Sequence, residues 1–170
     1  MKGADLKQLE KLIAEWVIDK GIYDAKDYYT QALKCNEEIG EATGDILKGR
    51  DPRMEIGDVF VTLVCQATLF DIQLTAAPNT MFMPYSEAET YETKHLLGYM
   101  VLDIAMLMND IACGTADSEY AHINLHSAYM LLDVLCGRVG TTLTECAQLA
   151  YNKISGRSGK MVDGVFVNVA

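Results

Sequence analysis

Proline is scarce in this chain, with three in 170 residues, at positions 52, 78 and 84. Long stretches are therefore free of the residue that breaks helices most strongly. Basic side chains are also few, 14 against 24 acidic ones, for a net charge of −10. That balance excludes a protein that coats duplex nucleic acid, which needs clustered Lys and Arg against phosphate. The five cysteines (35, 65, 113, 136 and 146) are odd in number and form no CxxC pair. Reduced, mostly buried thiols in a cytoplasmic protein are the reading that follows. The longest apolar stretch, Leu96 to Cys113, is interrupted by Asp103, Asn109 and Asp110. It is read as a buried helix and not a membrane span. Met1 to Glu10 is charged and without an apolar run, which gives the expectation of no signal or transit peptide.

Half of the residues are apolar and 22% are charged. This composition suits one packed domain over 1–170. Apolar residues recur at three- and four-residue spacing through most of the chain. Leu6, Leu9, Ile13, Trp16 and Val17 define one face of a first helix over about 4–20, closed by Gly21. A second helix is expected over about 25–48, stopping at Gly49. Asp51-Pro52 reads as an N-cap with proline at the first helical position of a third helix, to about 72. A loop over 73–86 precedes a fourth helix at 87–113, with Ser86 and Glu89 as its capping box. A fifth helix spans about 118–138. Thr142 and Glu145 form a capping box for a sixth, to about 155. The tail, 158–168, centres on Asp163-Gly164 between short apolar runs, the pattern of a β-hairpin. The class is all-α with a short C-terminal β-hairpin.

One feature of the charge is not diffuse. Glu37, Glu38 and Glu41 form EExxE, and after thirteen residues Glu55 and Asp58 form ExxD. Residues three or four apart share a helix face, so Glu38 projects with Glu41 and Glu55 with Asp58. The short link at 49–53 makes the second and third helices antiparallel neighbours, so the two acidic sets meet across the hairpin. Gly40 and Gly57 each cost a helix about 1 kcal/mol relative to Ala. Close approach of those two helices would explain them. An all-oxygen cluster suits Mg²⁺ or Mn²⁺, but a solvated acidic face has the same spacing.

These motifs, with Glu15-Trp16 before Lys20-Gly21, Gln31-Ala-Leu-Lys34, Tyr151-Asn-Lys-Ile154 before Arg157, and Gly159-Lys-Met-Val-Asp-Gly-Val-Phe166, resemble the MazG-like all-α nucleotide pyrophosphohydrolases. The resemblance covers about 4–75 and 141–167. It implies a four-helix-bundle-like fold of the MazG and dimeric dUTPase type. It also implies Mg²⁺-dependent hydrolysis of a nucleoside triphosphate to monophosphate and pyrophosphate. By position it makes Glu38, Glu41, Glu55 and Asp58 ligands of two or three Mg²⁺ ions, for which Mn²⁺ can substitute. Glu37 and Glu38 become the catalytic pair, with Glu37 orienting or deprotonating water. Lys34, Asn152, Lys153 and Arg157 are candidates to hold phosphate or sugar, or are plain surface residues. Trp16 either stacks on the base or anchors the first helix.

A deoxynucleotide is the expected substrate, either a purine such as dGTP or a broad set. A dUTPase- or dCTPase-type pyrimidine specificity is the alternative. A non-catalytic nucleotide- or metal-sensing module is the alternative of another class. No nucleic-acid polymer and no membrane are expected as partners. A homodimer or homotetramer in the cytoplasm of a bacterium or phage-infected cell is.

Residues 76–140 exceed the family's short form, and 87–155 is either a degenerate second half beside the metal-binding half at 4–75 or a helical hairpin alike by chance. The alignment puts Asp103 opposite Glu38, Met106 opposite Glu41, Asn124 opposite Glu55 and Ser127 opposite Asp58. Two further pairs, Glu92-x-x-His95 and Glu119-x-x-His122, match a di-iron pattern. They begin successive antiparallel helices, however, and would lie roughly 30 Å apart. His122 and His126 could share one metal, but a satisfied pair is the simpler reading.

Overall fold

The computed structural model describes residues 5–76, 85–162 and 165–168. Eight helices appear among them: α1 (Leu6–Asp19), α2 (Ile22–Ala25), α3 (Tyr28–Leu47), α4 (Arg53–Leu69), α5 (Tyr85–Ala88), α6 (Thr93–Cys113), α7 (Ser118–Arg138) and α8 (Leu143–Ser155). Two strands, β1 (Gly159–Val162) and β2 (Val165–Asn168), pair antiparallel with Val162 opposite Val165. The turn expected at Asp163-Gly164 lies outside the described residues. So does most of the loop expected at 73–86, including Pro78 and Pro84.

The helix starts show which local signals prevail. Asp5, Asp27 and Asp117 each cap a helix by accepting from backbone N–H groups of its first turn. Thr142 and Glu145 form the reciprocal capping box at α8. The helix expected from residue 25 begins instead at Tyr28, because Lys26 adopts φ +50° and separates the single turn α2 from α3. At α4 it is Pro52, not Asp51, that occupies the cap position. Asp51 accepts from the Arg53 backbone N–H at 3.2 Å and from its guanidinium.

The expected helix over 87–113 is broken. Ser86 lies inside α5, the chain turns through 89–92, and α6 starts at Thr93 behind Glu92, which makes no side-chain cap. The cause is remote. The Arg138 guanidinium, at the end of α7, donates to the backbone carbonyls of Glu89 and Tyr91 and fixes the turn.

α4 is the centre of the molecule. It packs against α1, α3, α7 and α8. It is buried on nearly every side from Ile56 to Ala67, as a helix apolar all round must be. From α1 it meets the fully buried Leu9, Ile13 and Val17, with Leu6 and Trp16 at the edge of that face. Glu10 is also buried, and its carboxylate accepts from the Leu74 and Thr75 backbones, tying the end of the α4 segment to α1. α6 and α7 form a second hairpin, with α6 against α3 and α7 against α4.

α6 departs from the expectation of a buried helix. Leu96, Met100, Ile104 and Leu107 are buried, but Val101, Leu102 and Met106 are about half exposed. By length and composition alone, α6 is long and apolar enough to cross a membrane.

Candidate metal centre

The α3–α4 hairpin brings three of the acidic candidates together. One carboxylate oxygen each from Glu38, Glu55 and Asp58 lies within 4.8 Å of the others. Glu38 comes from the middle of α3, and Glu55 and Asp58 from the first turns of α4. The link at Gly49, with φ +64°, reverses the chain between them. Asp58 is 7% exposed because it stands on the central helix. Glu41 is exposed and outside the triad, although its charge bears on both Glu38 and Glu55. Glu37 is exposed and is held by the Lys34 ammonium, which donates to it.

The electrostatics are those of a crowded anionic site. Burial, and then the neighbouring Asp58 charge, raise the carboxyls of Glu38 and Glu55 above the ordinary carboxylate range. Two lysines counter the crowding. Lys153 of α8 donates to Asp58 Oδ2. Lys34 lies 3.7 Å from Glu38 Oε1 while it holds Glu37. Like charges this close favour either protonation or a cation.

Gly57, between Glu55 and Asp58, does serve close approach, but not to α3. A Cβ there would fall on the Cys146 carbonyl oxygen of α8, 2.8 Å from its carbon and 2.9 Å from the Ala150 Cβ. The contact seats α8 on α4 and brings Lys153 within reach of Asp58. Gly40, for which the same purpose was expected, has open space where its Cβ would be.

A cavity of about 330 Å³ opens beside the triad. Glu38 and Asp58 line its rim, together with Lys34, Lys153 and Arg157, while Trp16, Ile22 and Val61 give it an apolar wall. Trp16 thus packs against the core and faces the cavity at once. Asn152 is exposed and outside the lining, and its side-chain oxygen accepts from Gln148 at 2.9 Å. On the other side of the triad, Glu37, Glu41, Asp45 and Glu55 border a more open groove, together with Lys48 and Arg50. Gln31, Thr62 and Cys65 line the cavity as well and are not among the sequence candidates. Helical spacing could have nominated them: Gln31 shares a face with Lys34 and Glu38, and Thr62 and Cys65 follow Asp58 at four and seven residues.

In the second hairpin, the Ser127 side chain bears on the Asp103 carboxyl, whose Oδ2 is buried without a hydrogen-bond partner among the described residues. Asn124 is buried and Met106 is on the exposed face, and no group of three carboxylates gathers there among the described residues. The His122 and His126 rings stack at 4.1 Å, and His126 Nδ1 is 3.0 Å from the His122 carbonyl. Neither joins a candidate metal cluster among the described residues.

Burial pushes the Asp103 carboxyl up to about 6 from an ordinary 3.8. A folded value above the unfolded one means that the group costs no stability while protonated. The cost appears as pH rises through about 4 to 6. Asp103→Asn is therefore expected to remove that part of the pH dependence. Urea midpoints of wild type and variant should diverge in the variant's favour from pH 4 to pH 7. Parallel midpoints would show that the Asp103 carboxyl titrates alike in the folded and unfolded chain.

The cysteines give a second expectation. Cys35, Cys65, Cys136 and Cys146 are buried and Cys113 is exposed. Burial pushes the Cys35 and Cys65 thiols up to about 12. Buried, protonated thiols are inert. A thiol reagent should modify one cysteine quickly in the native protein and all five after denaturation. Fast native labelling of two or more would contradict this burial pattern.

Comparison of the chain with protein-family models, curated proteins and solved structures yields no match.

Proposed function

We propose that the protein hydrolyses nucleoside triphosphates to the monophosphate and pyrophosphate with a divalent cation, in the manner of the MazG-like enzymes its motifs resemble. The observation that carries the reading is the convergence of Glu38, Glu55 and Asp58 beside a cavity rimmed by Lys34, Lys153 and Arg157. Three carboxylates, one of them buried, form a hard all-oxygen donor set that fits Mg²⁺ or Mn²⁺. Glu41, exposed on the groove side, would join them as the fourth ligand. A bound divalent ion would supply Lewis-acid neutralisation of the oligophosphate.

The chain's own residues do the rest. Lys34, Lys153 and Arg157 receive phosphate oxygens. Trp16 and Gln31 wall the nucleoside, for which a cavity of about 330 Å³ is of suitable size. Glu37, on the groove side, orients water and accepts its proton. The water oxygen bonds to the α-phosphorus as the bond to the α,β-bridging oxygen breaks, and pyrophosphate leaves with that electron pair.

In this reading α3, α4, α6 and α7 are the four-helix bundle, with α6–α7 a worn copy of α3–α4. A deoxynucleotide, purine or broad in range, remains the preferred substrate. The pairing of the two hairpins favours a pyrimidine triphosphate as the second reading. The test is a screen of ribo- and deoxynucleoside tri- and diphosphates, dUTP included, with Mg²⁺ and with or without added inorganic pyrophosphatase. Phosphate release that depends on the added pyrophosphatase is expected. No turnover of any nucleotide would leave the metal-sensing module instead.

A further inference from the structure

Lys34 and Lys153 stand in an unusual position for residues meant to hold phosphate. Each rims the cavity, yet each spends its ammonium group on the acidic cluster. Lys153 donates to Asp58 Oδ2, an oxygen of the triad itself. Lys34 bridges Glu37 and Glu38 from the same helix. Arg157 also rims the cavity but makes no ion pair among the described residues.

An ammonium group and a divalent cation cannot both take the same carboxylate lone pairs at close range, because their like charges repel. We infer that Lys34 and Lys153 are internal counter-ions of the bare carboxylates, displaced by a divalent cation and thereby handed to an oligophosphate in the cavity. This rests on the metal reading above.

The parts needed for the exchange are present. A lysine ammonium rides on a flexible four-carbon stem, so it can move several ångströms with no shift of backbone. Lys153 is partly exposed on the flank of α8, and both it and its partner Asp58 line the cavity. Arg157, with no ion pair among the described residues, is the cation that first meets the anion.

Two consequences follow from the competition. A divalent cation alone binds against the lysines, so its affinity is held down. An oligophosphate that captures the displaced lysines removes that penalty, so cation and anion raise each other's affinity by the same factor. A lysine that merely holds phosphate would weaken anion binding when removed but would leave binding of the cation alone unchanged.

The decisive experiment measures Mn²⁺ binding to the full chain by titration of the free-ion paramagnetic signal, without and with inorganic triphosphate. Wild type, Lys153→Met, Lys34→Met and Asp58→Asn are compared, with thermal melting to confirm that each is folded. Lys153→Met should bind Mn²⁺ alone about tenfold tighter than wild type, and its Mn²⁺-loaded form should bind triphosphate about tenfold more weakly. Lys34→Met should change both in the same directions by less. Mn²⁺ binding to Lys153→Met no tighter than to wild type would overturn the exchange while leaving the metal site standing. Wild type binding Mn²⁺ no better than Asp58→Asn would overturn the metal site itself, and the exchange with it.

Discussion

Asp58→Asn is expected to reduce triphosphate hydrolysis by about 10³-fold or more, because it removes the anionic ligand at the buried end of the triad. The substitution keeps the shape of the side chain and can still accept a hydrogen bond from Lys153, so the fold should survive. Circular dichroism and melting should resemble wild type, while divalent-cation binding is lost. The comparison separates chemistry from folding, which Asp58→Ala does less cleanly: truncation would leave the Lys153 ammonium without its partner beside a new hole. Activity within about tenfold of wild type would place the metal centre elsewhere.

Gly57→Ala should produce the second large effect, and through packing. The new methyl group would meet the backbone of α8 at Cys146 and the Ala150 side chain, neither of which can rotate away. The helices must separate, at a cost of about 3 kcal/mol, at the upper end of what overpacking does. For a chain of this size that is a fall in melting temperature of roughly 6–12 °C. α8 also carries Lys153, so separation would draw its ammonium from Asp58. Gly40→Ala is the control: its Cβ would stand in open space, and removing a helix glycine should stabilise by up to about 1 kcal/mol. Equal melting temperatures for the two variants would refute the close contact of α4 and α8.

The two glycines also show what a sequence can and cannot convey. A glycine inside a helical motif signals that something costs less without a side chain there, but not which element approaches. The partner of Gly57 is α8, about 90 residues onward, and Gly40 has none within 4 Å. The same limit explains the break between α5 and α6. Ser86 and Glu89 have the local spacing of a capping box, but Arg138 captures the Glu89 and Tyr91 carbonyls from 49 and 47 residues away. Where the determining interaction is local, spacing and structure agree, as for Thr142 with Glu145.

The acidic site was legible because helical periodicity and a short link suffice to bring Glu38 to Glu55 and Asp58. The finer sorting was not legible. Glu41 and Glu37 share the motif but turn toward the groove, since α3 exposes that side while α4 is enclosed. The half-exposed face of α6 escapes the sequence for a related reason: hydropathy measures how apolar a helix is, not on how many sides it has neighbours. α4 and α6 are both apolar, but among the described residues α4 is enclosed by α1, α3, α7 and α8, whereas α6 packs mainly on α3 and α7.

The central claim is that this carboxylate site hydrolyses a triphosphate by attack at the α-phosphorus. Hydrolysis in ¹⁸O-enriched water, followed by mass spectrometry of both products, tests it directly. One ¹⁸O in the nucleoside monophosphate and none in the pyrophosphate, with the reaction abolished by chelation and by Asp58→Asn, is the expected result. Label in inorganic phosphate, or no divalent-dependent hydrolysis of any nucleotide, would contradict it.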